Sequence, residues 1–188
     1  MKKKILFLGY DKNQTSLIRF LRKRKYLVTE NKQKIIKYNK IKNYNLIISF
    51  GYNKIVKQNV LNKLHRPIIN LHISYLPFNR GSHPNFWSFI NNTPKGVTIH
   101  EINEGIDTGN IIYQKKINFD NLENLTFNNT YNKLIVEIEK LFIKNHLKIY
   151  NNSYRSRVQK EKKKSYKQSD LPINIKSWKI KIKDYLKL

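Results

Sequence analysis

Short apolar runs alternate along the chain with stretches in which apolar residues recur every three or four positions. The apolar runs predict β-strands at residues 4–9, 26–29, 45–51, 67–72, 96–102 and 110–117. The wider spacing predicts helices at residues 13–25, 53–64, 84–92 and 128–150, whereas the polar stretch 32–43 is ambiguous. Strands that are apolar almost throughout and alternate with amphipathic helices indicate an α/β fold. We expect a Rossmann-like, mostly parallel sheet with helices on both faces.

The composition of the chain changes after Tyr150. Residues 151–168 are polar and rich in Lys and Arg, and residues 171–188 regain apolar side chains. We therefore predict one α/β domain over residues 1–150 and a small C-terminal extension over residues 151–188, made of a basic loop and a short structured element. The chain lacks the pattern G-x-G-x-x-G, so the Rossmann-like arrangement does not imply a dinucleotide.

Length and cysteine content limit the class of protein. A chain of 188 residues with 39% hydrophobic positions can bury a core. It has no cysteine, which excludes a disulfide scaffold and thiolate metal sites. The first apolar run, residues 5–8, is shorter than the roughly 7–15 residues of a signal-peptide core, and no stretch approaches the ~20 apolar residues of a membrane helix. We expect a cytoplasmic protein with no membrane partner.

The formal net charge is +26, from 38 Lys and Arg against 12 Asp and Glu. Three interpretations are open. The charge can attract a polyanion such as nucleic acid, it can draw in a small anionic substrate, or it can reflect a compositional bias towards Lys, Asn, Ile and Tyr. Because the lysines are spread along most of the chain, we favour compositional bias.

The stretch NLHISYLPFNRG, residues 70–81, places two polar side chains at the end of a predicted buried strand. Side chains two positions apart share one face of a strand, so Asn70 and His72 point the same way. They lie at the carboxyl end of the strand, where open α/β sheets bind ligands. Asn70 supplies an amide donor, and His72 supplies a group that titrates near neutrality. Taken alone, His72 is more typical of a core histidine.

A carboxylate follows in the stretch GVTIHEINEGIDTGNIIYQ, residues 96–114. Asp107 lies between Gly105 and Gly109 in a predicted loop that joins two strands. A carboxylate held in a glycine loop near a histidine can accept a proton or stabilise an imidazolium. The alternative is a turn residue, since Asp-Thr-Gly is good turn chemistry.

These motifs together resemble the folate-dependent formyltransferase family. The resemblance rests on NLHISYLP at residues 70–77, Arg80-Gly81, GVTIH at residues 96–100 and Asp107-Thr108-Gly109, in that order. It implies a catalytic triad of Asn70, His72 and Asp107. It also implies 10-formyltetrahydrofolate as the formyl donor, an amine that attacks the formyl carbon, and no metal. Asn70 and a protonated His72 would donate hydrogen bonds to the oxyanion, and Asp107 would keep His72 basic and oriented.

The topology and the resemblance together suggest further site residues. The residues expected to bind the folate are Phe50, Gly51, Tyr52, Ile102, Gly105 and Ile106. Those expected to bind the acceptor substrate are Ser74, Arg80, Gly81, His83, Asn85 and Trp87. His100 is expected to support the site from behind. Two of these have structural alternatives: Ser74 can hold the turn without contacting a ligand, and Trp87 can belong to the core.

The acceptor amine is the least determined part of this interpretation. Residues 75–81 and 84–88 are most similar to sugar N-formyltransferases, which act on nucleotide-linked amino sugars, and the negative diphosphate would suit the basic surface. Methionyl-tRNA and glycinamide ribonucleotide formyltransferases are the related alternatives. An alternative of another class is a nucleic-acid-binding module on a degenerate scaffold, with Arg155, Arg157, Lys160 and residues 162–164 along a phosphate backbone. A homodimer is compatible with the sequence.

Overall fold

The apolar runs of the sequence form the strands of one central sheet. The computed structural model describes residues 3–120, 122–161, 163–173, 175 and 177–187. Eight strands occur in these residues: β1 Lys4–Gly9, β2 Leu27–Asn31, β3 Leu46–Phe50, β4 Ile69–His72, β5 Arg80–Gly81, β6 Gly96–Glu101, β7 Ile111–Lys116 and β8 Ser165–Tyr166. Six of them build the sheet in the order β2-β1-β3-β4-β6-β7, and β5 pairs with β8 separately.

Six α-helices occur in the same described residues: α1 Leu17–Lys23, α2 Tyr38–Ile41, α3 Gln58–Leu61, α4 Pro84–Ile90, α5 Phe127–Tyr150 and α6 Ile182–Leu186. Short 3₁₀ helices lie at Leu122–Asn124 and Gln168–Asp170. The longest helix, α5, begins after Thr126, whose hydroxyl accepts a hydrogen bond from the Asn129 N–H at 3.1 Å. Its buried residues include Leu134, Ile138 and Phe142, which share one face because they are four positions apart.

The predicted sheet is confirmed as mostly parallel, with one unforeseen feature. Strands β2, β1, β3 and β4 pair in parallel, but β6 runs antiparallel to β4, and β7 runs antiparallel to β6. The antiparallel pairing places Asn70 of β4 directly opposite His100 of β6. Two candidate site residues are thereby neighbours across the sheet.

Two of the predicted helices are shorter than expected. Residues 11–16 form a turn in which backbone N–H groups bind carboxylates: the Asn13 N–H donates to Asp11 Oδ1 and the Ser16 N–H donates to Glu139 Oε1. Helix α1 therefore begins only at Leu17. In the region predicted as helix 53–64, the Asn53 N–H donates to the side chain of Gln33, and only the single turn of α3 is helical.

Apolar side chains cover both faces of the sheet. On one face, α1 and α5 pack on a cluster that includes Phe7, Ile48 and Ile99. On the other face, a smaller cluster joins Leu8 and Ile68 to residues of α2 and α3. The Rossmann-like layering with helices on both faces is confirmed. Asn70 follows Ile68 by two residues and therefore lies on the same face of the sheet as the smaller cluster.

The C-terminal residues pack on the rest of the chain. Tyr166 stacks on Trp87 with ring centroids 4.2 Å apart and planes inclined by 13°. Ile182 of α6 is buried in a third cluster with Phe86 and Phe127. The division into residues 1–150 and 151–188 stays a prediction, and the structure adds that the described part of the extension shares its apolar contacts with α4 and α5.

Candidate active site

A cavity of about 710 Å³ opens at the carboxyl edge of the parallel strands. Its size lies within the roughly 300–1,000 Å³ that is usual for small-molecule sites. The ends of β1, β3 and β4 form its floor, the loop after β6 forms one wall, and residues from α4, α5 and the C-terminal extension form the opposite wall. This is the position that the strand arrangement predicts for a ligand.

Asn70, His72 and Asp107 meet in this cavity. The Asn70 amide donates to Asp107 Oδ1 at 3.2 Å, and His72 Nε2 lies 3.5 Å from Asp107 Oδ2. His72 is 8% exposed, and its Nε2 has no hydrogen-bond partner among the described residues. The structure therefore brings the three predicted residues together, with one buried imidazole nitrogen left unpaired at the carboxylate.

His100 was expected behind the site, but it contacts Asn70 and Asp107 directly. Its Nδ1 donates to the carbonyl oxygen of Glu101 at 2.7 Å, which leaves Nε2 as the acceptor for the Asn70 amide at 3.0 Å. His100 Nε2 is also 3.4 Å from Asp107 Oδ1. Both N–H groups of Asn70 are thus engaged, one by His100 and one by Asp107.

Close backbone contacts hold the Asp107 loop in place. Asp107 has a left-handed backbone conformation, with φ of +51°, and its Oδ2 accepts a hydrogen bond from the Gly81 N–H at 2.8 Å. A Cβ atom on Gly109 would lie 1.8 Å from the carbonyl oxygen of Glu101, so only glycine allows this approach of the loop to the end of β6. These backbone contacts help to orient the carboxylate.

Burial dominates the electrostatics of the site. It lowers the pKa of His72 below the ordinary value for histidine, and the opposing charge of Asp107 does not cancel this effect. Burial by itself raises the pKa of Asp107, but the neighbouring His72 and His100 rings and the Gly81 N–H hold that pKa well below its usual range. At neutral pH a carboxylate therefore faces a neutral imidazole. Desolvation has the larger effect on the pKa of His72, and the charge of Asp107 raises that pKa in the expected direction without restoring its ordinary value.

The predicted folate-binding residues all line the cavity. They are Phe50, Gly51 and Tyr52 at the end of β3, and Ile102, Gly105 and Ile106 in the loop after β6. Of the predicted acceptor-binding residues, Gly81, His83 and Asn85 line it as well. The Asn85 amide donates to the carbonyl oxygen of Phe127 and to the hydroxyl of Thr130, so its N–H groups already have protein partners. Ligand binding by these residues stays a prediction.

The structure does not bring Ser74, Arg80 or Trp87 to the described cavity wall. The Ser74 hydroxyl donates to the carbonyl oxygen of Phe78 and closes the turn. The Arg80 guanidinium donates to the carbonyl oxygen of Lys163 and is buried beneath the extension. Trp87 is covered by its stack on Tyr166. These contacts give all three residues a structural role, and binding of the acceptor by Ser74, Arg80 and Trp87 stays a prediction.

Several cavity residues were not predicted. Tyr10 directly follows β1, and its hydroxyl is hydrogen-bonded to that of Tyr131 from α5. Its position directly after the carboxyl end of a parallel strand could have identified Tyr10 from the sequence. Trp178 stacks on His83 with centroids 5.3 Å apart and lines the cavity from the extension. No local sequence signal points to Tyr131 or Trp178, because long-range packing places them.

The basic residues proposed for a nucleic-acid backbone are scattered. The Arg157 side chain donates to Gln114 Oε1 at 2.7 Å, and Arg155 and Lys160 are exposed, while Lys162 lies outside the described residues. Across the described part of the chain, no group of three or more His, Asp or Glu side chains is arranged to hold a metal ion. None of the described helices combines the length and apolar character that crossing a membrane requires.

Residues 3–145 match the Formyl transferase family, so the chain belongs to that family. The methionyl-tRNA formyltransferase of Prochlorococcus marinus (strain AS9601) is 36% identical over 112 residues, which are 59% of this chain and 34% of that protein. The corresponding enzyme of Clostridioides difficile (strain 630) is 35% identical over 99 residues, 51% of this chain and 31% of that protein. The chain thus spans about a third of the length of the curated relatives it matches.

Solved structures of similar chains include formyltransferases in complex with nucleotide-linked sugars. The formyltransferase PseJ from Anoxybacillus kamchatkensis, in complex with UDP-4,6-dideoxy-4-formamido-L-AltNAc and tetrahydrofolate, has a TM-score of 0.87 and 37% identity, with 96% of each chain covered. The N-formyltransferase from Helicobacter canadensis, in complex with folinic acid and dTDP-3-aminofucose, has a TM-score of 0.76 and 26% identity, with 97% of this chain and 79% of that chain covered. The resemblance of residues 75–88 to sugar N-formyltransferases agrees with these neighbours.

Proposed function

We propose that this protein transfers a formyl group from 10-formyltetrahydrofolate to the amine of a nucleotide-linked amino sugar, and that Asn70, His72 and Asp107 carry out the reaction. The observation that carries this proposal is the convergence of these three residues in one cavity of a formyl transferase family fold. PseJ, which matches almost the whole chain, supports the folate donor and the sugar acceptor, because both kinds of ligand are present in its structure.

The chemistry assigns a base role to His72. The amine nitrogen attacks the formyl carbon, and the tetrahedral intermediate carries an oxyanion and an ammonium proton. A neutral His72 accepts that proton at Nε2, the unpaired nitrogen, and the resulting imidazolium is stabilised by Asp107 at 3.5 Å. The bond from carbon to folate N10 then breaks, and His72 returns the proton to N10. The products are a formamide and tetrahydrofolate.

Asn70 is the proposed oxyanion donor. Both of its N–H groups are engaged, with His100 Nε2 at 3.0 Å and Asp107 Oδ1 at 3.2 Å. Donation to the oxyanion therefore replaces one of these two bonds. Protonated His72 becomes a second donor only after it has taken the amine proton, so the hydrogen bonding to the oxyanion strengthens as the charge develops.

The cavity offers groups suited to a nucleotide-linked substrate. Lys167 and Gln168 lie beside the stacked rings of His83 and Trp178 on the wall formed by the extension. An aromatic face suits a base or a sugar ring, and a lysine suits a diphosphate. A UDP-linked 4-amino-4,6-dideoxy sugar is the first acceptor to test, because PseJ is bound to the corresponding formamide.

A formyl-transfer assay tests the proposal. The protein is mixed with 10-formyltetrahydrofolate and, in separate reactions, UDP- and dTDP-linked 3-amino and 4-amino sugars, glycinamide ribonucleotide and methionyl-tRNA. Release of tetrahydrofolate is followed by absorbance, and the formamide is identified by its mass. Turnover with an amino sugar is expected. If only methionyl-tRNA is formylated, the acceptor is not an amino sugar but the substrate of the methionyl-tRNA formyltransferases that the chain resembles. Absence of turnover with every amine would contradict the proposal.

The pH dependence of kcat/KM follows from the lowered pKa of His72. The base must be neutral, so the rate is expected to fall on the acid side, with a midpoint below the ordinary histidine value of about 6.5. The same shift means that the unfolded chain binds this proton more tightly than the folded chain, so folding stability also decreases as the pH falls through about 6.5. Initial rates from pH 5 to 9, corrected with enzyme-free blanks, measure the midpoint. A midpoint above 7 contradicts the neutral-base assignment.

A further inference from the structure

The C-terminal extension reaches the loop that carries Asp107. The Gln159 side-chain N–H groups donate to the carbonyl oxygen of Asp107 at 2.9 Å and to that of Gly109 at 2.7 Å. One amide nitrogen thus bridges the two carbonyl groups that flank Thr108. Its Oε1 is buried without a hydrogen-bond partner among the described residues, so Gln159 serves this loop as a donor.

We call residues 154–161 and 163–168, the segment that carries Gln159, the strap. Backbone hydrogen bonds hold the strap on both sides of Gln159. Two residues before Gln159, Arg157 and Ile111 exchange both backbone hydrogen bonds at 2.8 Å. Further along the strap, β8 pairs with β5, and the Ser82 N–H donates to the carbonyl oxygen of Tyr166 at 2.8 Å. The strap therefore spans from the start of β7 to β5 and passes over the Asp107 loop.

Asp107 is held by the strap at its backbone carbonyl group and by β5, the partner of the strap, at its carboxylate. Its carbonyl oxygen accepts from Gln159, and its carboxylate accepts from the N–H of Gly81, which belongs to the strand β5 paired with the strap. A Cβ atom on Gly81 would lie 2.1 Å from the carbonyl oxygen of Tyr166, which shows how closely β5 and β8 approach. The left-handed conformation of Asp107 costs some free energy for a residue with a side chain, and the contacts with Gln159 and Gly81 stabilise it.

We propose that Gln159 is a positioning residue that holds the Asp107 loop and thereby sets the distance between the Asp107 carboxylate and His72. The catalytic part of this inference rests on the proposed formyl transfer. Without the two N–H donors of Gln159, the carbonyl groups of Asp107 and Gly109 lose their partners on the strap. The loop then relaxes from its left-handed conformation, and the carboxylate withdraws from the imidazole.

The test measures this distance through the titration of His72. Asp107 and His100 are the charged and titratable groups that act on its ring, together with a hydrogen bond to the backbone of Asn79. Asp107 raises the affinity of the imidazole for a proton, so a withdrawn carboxylate makes His72 titrate at lower pH. The probe is the His72 ring signal in a ¹H–¹⁵N or ¹H–¹³C NMR titration of the full chain without ligands, assigned by its absence in His72→Ala.

Gln159→Met keeps the shape of the side chain and removes its donors. We expect the His72 midpoint to move to lower pH by roughly half a pH unit, and kcat to fall about tenfold with KM within about twofold. The matched control is Arg157→Met, which removes a side-chain hydrogen bond of the same strap to Gln114 without touching the Asp107 loop. The control should leave the His72 midpoint unchanged. Any effect of the removed positive charge would raise that midpoint and would not lower it.

The outcomes separate the two proposals. An unchanged His72 midpoint in Gln159→Met, or an equal decrease in Arg157→Met, overturns the positioning role. If Gln159→Met does not fold, Gln159→Asn supplies the same comparison, because its shorter amide cannot reach both carbonyl groups. If the parent protein transfers no formyl group to any amine, the proposed function fails, while the ligand-free titration still decides whether Gln159 positions Asp107.

Discussion

Replacement of His72 by Ala is expected to lower kcat/KM for formyl transfer by roughly 10²–10⁴-fold, the usual contribution of a positioned general base. His72 Nε2 is buried, unpaired and next to a carboxylate, and no other described cavity residue offers a neutral imidazole nitrogen in that state. The Nε2 atom of His100 already accepts the Asn70 amide, so it cannot take over without breaking that bond. The measurement is the initial rate of tetrahydrofolate release at saturating donor.

The matched control for this variant is His146→Ala. His146 is also buried, its Nδ1 donates to the carbonyl oxygen of Ile143 at 2.8 Å, and its ring packs edge-on against Phe20 outside the cavity. This control should lose stability but keep kcat/KM within about twofold of the parent. A loss of less than tenfold in a folded His72→Ala protein, checked by circular dichroism, would exclude His72 as the base.

Replacement of Asp107 by Asn is expected to lower kcat/KM by a similar factor, roughly 10²–10⁴-fold. The carboxylate accepts hydrogen bonds from the Asn70 amide on one oxygen and from the Gly81 N–H on the other. An amide of the same shape has one acceptor oxygen, so its NH₂ group must face one of these donors. The imidazolium formed at His72 also loses its counter-charge. Rates and urea unfolding are measured together, with about 1–3 kcal/mol of stability expected to be lost.

Asp11→Asn is the corresponding control for the loss of a carboxylate. Asp11 pairs with Lys32 at 2.9 Å and accepts from the Asn13 N–H, and it does not line the cavity. Its replacement should leave kcat/KM nearly unchanged, because Asp11 does not line the cavity. If Asp107→Asn retained more than about a fifth of the parental rate, the carboxylate would not be part of the catalytic machinery.

The sequence indicated the parts of the site that lie on regular strands. Alternation along β4 placed Asn70 and His72 on one face, and the parallel sheet placed that face at a ligand-binding edge. The loop glycines pointed to Asp107. The sequence did not indicate that burial would lower the pKa of His72, since desolvation depends on how the whole site is covered. The antiparallel turn of the sheet at β6 was also missed, because an apolar run does not show the direction of its strand.

The contribution of the C-terminal extension could not be read from its composition. Residues 151–168 are polar and basic, which is typical of a solvated loop, yet Gln159 contacts the Asp107 loop and Tyr166 covers Trp87. Arg80 was expected to bind the acceptor as part of the motif, and Trp87 was expected there because it follows Gly81. In the structure both side chains contact the extension, and Trp178, about 90 residues after Trp87, contributes an aromatic ring to the cavity.

The register between β4 and β6 determines whether Asn70 and His100 face the cavity together. Asn70 lies opposite His100, while Ile99, the preceding residue of β6, lies opposite Leu71 and packs in the core on the other face of the sheet. A slip of one residue would exchange these faces, burying the imidazole among apolar side chains and exposing the isoleucine in the cavity. Such a mispaired sheet would be less stable, because Ile99 would leave the apolar core. Core packing therefore favours the alignment that places Asn70 opposite His100.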